Sequence, residues 1–219
     1  MRRTILALAT LLPAAAHAEA TSAPPYSLFA KPVASFNAIP AAKRTKLILI
    51  ERVTNQSGVP IAPPPHFTIQ AAAGPIPLPI AADGSFTVPV TDALLAEDPK
   101  IATDQPKGSM KINLSVGIIP PPAASVPYAW CLDAAAQAQE AANLAAKAQG
   151  GLLGSLFGPT VRGLVVSFPG TGTITLVSAG KREALPANPN GTVTIPLDRP
   201  AGAEVQFSTK PKEITLDLK

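Results

Sequence analysis

The chain has 219 residues, with 18 Lys or Arg against 14 Asp or Glu, one cysteine and only 5% aromatic residues. Once the leader that holds Arg2 and Arg3 is set aside the formal charge is +2, too small to imply nucleic acid or an acidic membrane, since a nucleic-acid face usually shows clustered Lys and Arg. One cysteine excludes an internal disulfide, and one cysteine with one histidine beyond the leader falls short of a zinc site's usual ligands.

Residues 1–18 place Arg2 and Arg3 before an apolar run and end in Ala16-His17-Ala18, the small-residue pattern that signal peptidase cleaves. The run is too short for a bilayer span, which needs roughly 20 residues, so it predicts a removed signal peptide and a periplasmic or extracellular chain. No cysteine follows the cleavage pattern, so a lipid anchor is not expected. Residues 19–43 carry Pro24, Pro25, Pro32 and Pro40 among Tyr26, Leu28, Phe29 and Phe36, which suits an extended or short helical arm laying its aromatics on a neighbour.

The first regular element expected is a buried strand over 46–54, closed by the turn cluster Asn55-Gln56-Ser57-Gly58. After a proline-rich stretch, residues 66–71 alternate, with Phe67 and Ile69 on one face and Thr68 and Gln70 on the other. The Asp83-Gly84 pair then predicts a turn, followed by a strand with Phe86 and Val88 on one side. Pro89 ends it, because a proline cannot donate to a ladder. Residues 110–116 alternate again, through Met110, Ile112 and Leu114.

The same order recurs. Residues 67–90 lie over 174–197 without a gap, with seven identities: Thr68/Thr175, Ala72/Ala179, Leu78/Leu185, Pro79/Pro186, Gly84/Gly191, Thr87/Thr194 and Pro89/Pro196. Further on, Met110, Ile112 and Leu114 match Ile214, Leu216 and Leu218, and residues 163–168 match the strand that opens the first copy. A repeat of this length implies two homologous units. The fold expected is mainly β: two small β-sandwich units in tandem, 44–118 and 161–219, joined by one α-helix and packed on each other with pseudo-two-fold symmetry. Residues 119–160 form the linker, with the helix at about 133–149, Asp133 as its N-cap and Gly150-Gly151 as its stop.

Few residues offer chemistry. His66 lacks a neighbouring nucleophile in sequence, so the bland reading is a surface or edge histidine. Cys131, among small apolar residues, reads as a buried structural thiol. Asp92, Glu97, Asp98 and Asp104 gather before the last strand of the first unit, where paired carboxylates would cleave a glycoside or bind calcium; the competing reading is a solvated acidic loop. Tyr128 and Trp130 offer a small apolar pocket between the units for a small molecule or glycan. Leu152, Leu153, Leu156 and Phe157, in a glycine-rich connector, are candidate contact residues for a partner.

GSFTVP at 84–89 and GTVTIP at 191–196 resemble the repeated sandwiches of exported bacterial proteins, of the immunoglobulin-like or transthyretin-like kind. The layout of leader, β unit, helix and β unit is similar to that of uncharacterised proteobacterial periplasmic proteins, a likeness that transfers no catalytic residue. The leading expectation is therefore a non-enzymatic structural or interaction protein of the cell envelope, without a cofactor, whose partner is another envelope protein. A small-molecule or glycan binder near Trp130 is the alternative, and a carboxylate-dependent hydrolase the third reading.

Overall fold

The computed structural model describes residues 23–149 and 160–218. Strands hold 38% of the residues and helices 21%, so the chain is mainly β. The strands are β1 (Leu47–Asn55), β2 (Phe67–Ala71), β3 (Gly74–Leu78), β4 (Lys100–Thr103), β5 (Met110–Ile118) and β6 (Ser125–Pro127), then β7 (Val161–Ser167), β8 (Ile174–Ser178), β9 (Lys181–Ala184), β10 (Val193–Pro196), β11 (Glu204–Phe207) and β12 (Glu213–Leu218). The helices are α1 (Ser27–Ala38), α2 (Asp92–Glu97) and α3 (Tyr128–Gln149). No helix among the described residues is long and apolar enough to cross a membrane.

One five-stranded sheet, in the order β1-β5-β12-β7-β10, runs through both halves of the chain. The halves meet where β5 pairs antiparallel with β12, Ile118 opposite Ile214 and Gly117 opposite Thr215. A three-stranded sheet, β3-β2-β4, belongs to the first half and a four-stranded sheet, β6-β11-β8-β9, to the second. Buried side chains form two apolar clusters. One holds Tyr26, Phe29, Val53, Phe67, Ile69 and Ile101 under α1, and the other holds Tyr128, Leu164, Val166, Ile174, Phe207 and Ile214 beside α3. Leu49 packs against both.

Local chemistry recurs at matching places. Gly84 N–H donates to the Ala81 carbonyl at 2.8 Å, and the Asp83 carboxylate accepts from Ser85 N–H at 3.0 Å and from its hydroxyl at 2.6 Å. Gly191 N–H donates to the Asn188 carbonyl at 2.9 Å, and the Asn190 side chain accepts from Thr192 N–H at 3.2 Å and from its hydroxyl at 2.8 Å. Both glycines have positive φ, +82° and +79°, which a side chain would oppose. Gly84 has a second constraint, since an added Cβ would lie 2.2 Å from the Val53 carbonyl oxygen, whereas Gly191 faces open space.

Each half also opens with a tyrosine and a helix. Tyr26 N–H donates to the Pro99 carbonyl and Tyr128 N–H to the Ala203 carbonyl, both at 2.8 Å. Their hydroxyls donate to the carbonyls of Pro89 and Pro196. The next buried residues follow one spacing: Phe29, Pro32, Val33 and Phe36 on α1, and Cys131, Ala134, Ala135 and Ala138 on α3. This is the apolar stripe of a helix lying on a core. α1 has no cap of its own, and Asp98 supplies one from a distance, accepting from Ser27 N–H at 2.7 Å and from its hydroxyl at 3.1 Å.

Residues 27–38 form a short helix, with Tyr26 and Phe29 packed in the first apolar cluster and Phe36 in the second. Three expectations need correction. α3 begins at Tyr128, five residues before the expected Asp133, because its start is fixed by the pairing of β6 with β11 and by the Tyr128 bonds. Asp133 lies inside the helix and pairs with Lys46. The strand expected at Phe86–Val88 is reduced to a single bridge between Ser85 and Arg52, because Val88 N–H is taken by the Glu51 side chain. The equivalent stretch of the second half, β10, does pair along its length with β7. Lastly, α2 replaces part of the expected loop, started by Thr91, whose hydroxyl accepts from Leu94 N–H at 3.2 Å.

Candidate functional site

The residues singled out by sequence do not converge. Tyr128 is fully buried, and its hydroxyl both donates to the Pro196 carbonyl and accepts from Arg199 N–H at 3.2 Å, so it is a latch in the core. Trp130 is half-buried against the same cluster. Leu152, Leu153, Leu156 and Phe157 lie outside the described residues. Cys131 is fully buried, and desolvation pushes its thiol up to about 12, which leaves it protonated and unreactive at neutral pH.

The four carboxylates are spread over separate tasks. Asp92 opens α2, Glu97 accepts from Ala72 N–H at 2.6 Å, and Asp98 caps α1. Asp104 is joined by His66, whose Nδ1 lies 2.9 Å from one carboxylate oxygen while its N–H donates to the other at 3.1 Å. Partial burial works to raise the Asp104 value, and the hydrogen bonds from His66 and Gln105 outweigh it and lower it. Sequence reading listed His66 and Asp104 separately; the pairing of β2 with β4 brings them together. Among the described residues no three His, Cys, Asp or Glu side chains gather around a point where a cation would sit.

The concave feature that both halves build lies on the central sheet. β1 alternates, turning Leu47 and Val53 into the core and leaving Ile48, Ile50 and Arg52 less covered. These three, with Thr87, Pro120 and Glu213, line a groove of about 280 Å³. Ile50 lies over Gly117, where an added Cβ would come within 2.5 Å of the Ile50 Cδ1 atom. Arg52 closes one end by an ion pair with Glu213 at 2.6 Å, and Asp83 stands 3.9 Å from the same guanidinium. Ile48 is 45% exposed and Ile119, which donates its N–H to the Lys46 carbonyl beside it, is 43% exposed. Ile48 thus leaves an exposed aliphatic side chain in the groove that the Arg52–Glu213 pair also lines.

Beneath this groove sits Glu51, which sequence reading passed over as one polar residue in an aliphatic run. The residue is 6% exposed, and among the described residues its carboxylate accepts from Val88 N–H alone, at 3.2 and 3.3 Å. Desolvation pushes it up to about 7 against the lowering effect of that hydrogen bond. The corresponding place in β7 belongs to Val166, which is fully buried and paired with Val193 as Glu51 is bonded to Phe86. An ionisable group thus stands in one half where the other half has a methyl-lined core. No family model, curated protein or solved structure matches this chain.

Proposed function

We propose that this is an exported, non-enzymatic protein of the bacterial cell envelope, built from two copies of one β module, that works by contact with another envelope protein. Export rests on the leader pattern of residues 1–18. Duplication is supported by the aligned residues and by the paired turns and tyrosines that recur at matching positions. The single observation that carries the contact reading is the groove on the central sheet, which the exposed Ile48 lines together with the Arg52–Glu213 pair, with the exposed Ile119 bonded to Lys46 beside β1. Isolated isoleucines on a surface are ordinary, but Ile48 and Ile119 stand diagonally across the end of the β1–β5 pairing, where one partner can desolvate both.

Chemical cross-linking in intact cells, followed by affinity capture and mass spectrometry, tests this reading. One dominant envelope protein should be recovered with the wild-type chain and lost from an Ile48→Asp/Ile119→Asp variant, whose far-UV circular dichroism should be unchanged because both side chains are exposed. A product list identical to that of an unrelated exported control, or recovery unaffected by the double substitution, would sink it.

A further inference from the structure

A second concavity lies beneath α1, away from the groove. It has a volume of about 220 Å³ and is walled by Leu28, Phe29, Phe67, Ile101, Met110 and Ile112, with Thr103, Gln105 and Lys107 at its polar side. Its origin is visible by comparison with the second half. Leu28 stands two residues after Tyr26 as Trp130 stands two residues after Tyr128. Thr103 is paired with Phe67 as Phe207 is paired with Ile174. Phe207 is buried and Trp130 packs against its cluster, so at these two places the second half carries aromatic rings that belong to its core. The first half offers Leu28, which is 61% exposed, and Thr103, and the space stays open.

We propose that this cavity is a binding site for a small amphipathic anion, an aliphatic carboxylate whose chain lies among Phe29, Phe67, Ile101 and Ile112 and whose head meets Lys107. The size follows from volume: a 150 Å³ apolar cavity holds the six carbons of benzene, so this one accommodates about eight or nine. The charge follows from the rim. Lys107 sits on an exposed turn, and the ion pairs of the described residues do not include it. Asp104, on the same loop, is occupied by His66 and by the backbone N–H of that residue. Thr103 and Gln105 add hydrogen-bonding groups at the same side of the cavity. The proposal is independent of the contact reading, because the groove and this cavity share no lining residue.

The test uses octanoate as probe, with octanol as its uncharged counterpart, on the purified protein carrying ¹³C-methyl methionine. Met110 lines the cavity and reports directly. Octanoate should shift the Met110 methyl resonance saturably, and Lys107→Met should weaken octanoate by about fivefold, the size of an exposed ion pair, while leaving octanol unchanged. Leu28→Trp/Thr103→Phe, which copies the second half into the first, should abolish binding of both probes and raise Tm. No saturable shift with octanoate would overturn the proposal, and equal binding of octanol and octanoate that ignores Lys107→Met would overturn its anionic character. If the double variant fails to fold, Lys107→Met still decides, because its side chain lies on the surface.

Discussion

At the scale of single residues the sharpest feature is Glu51. A carboxyl whose folded value is about 7, against an ordinary 4.5, holds its proton in the native protein over a range where the unfolded chain has lost it. Its contribution to stability is therefore whole below about pH 4.5, declines as the pH climbs towards 7, and is flat above that. Arg52, next in sequence, does not offset the charge, since it turns to Glu213. A glutamine keeps the acceptor for Val88 N–H and carries no charge. Glu51→Gln should thus match wild type near pH 4.5 and exceed it by about 3 kcal/mol at pH 8, measured by urea unfolding across the range. A difference independent of pH would show that Glu51 is solvated in the folded state. Sequence could not show this, because burial of a lone Glu in LILIERVTN is decided by which strands pack above it, and those lie elsewhere in the chain.

At the scale of elements, each helix is latched to its sheet by one phenol. Tyr26 ties α1 to the Pro89 carbonyl, and Tyr128 ties α3 to the Pro196 carbonyl. Both carbonyls belong to half-buried prolines, so losing the donor leaves an acceptor that water serves less well than the phenol did. Tyr26→Phe and Tyr128→Phe should each cost about 1–2 kcal/mol in chemical denaturation. The two changes should cost about the same, because each hydroxyl oxygen also accepts from a backbone N–H, that of Thr91 at Tyr26 and that of Arg199 at Tyr128. Equal stability of both variants with wild type would mean that the carbonyls find water. The two turns were legible in sequence because their chemistry is local: Asp83-Gly84 and Asn190-Gly191 carry their own acceptor and their own positive φ. The helix starts were not, since Tyr26 and Tyr128 are fixed by residues roughly seventy positions away. α1 was further obscured by Pro32, which removes a helical donor and reads as a breaker unless packing holds the helix around it.

At the scale of the molecule, the alternation of the strands was readable but their joining was not. Pairing of β5 with β12 unites residues about a hundred positions apart, and no local pattern encodes such a register. The two apolar clusters also differ in what they draw on. The first is made from residues 26–112, within the first half. The second takes Phe36, Ile39, Leu47, Val116 and Ile118 from the first half to complete itself. A fragment ending at residue 118 should therefore keep a cooperative, weakened unfolding transition, while one starting at residue 123 should show none. Cooperative unfolding of the second fragment, followed by tryptophan fluorescence at Trp130, would refute that dependence.

On the export proposed above, in which the chain would emerge N-terminus first, that asymmetry has a temporal meaning. The first cluster has all its parts once residue 112 has emerged, and it can close while the remainder is still in transit. The second must wait for β12, whose Ile214 is the last buried residue among those described. Until then Leu47, Val116 and Ile118 form a ready-made template on the finished half, onto which the late strands condense.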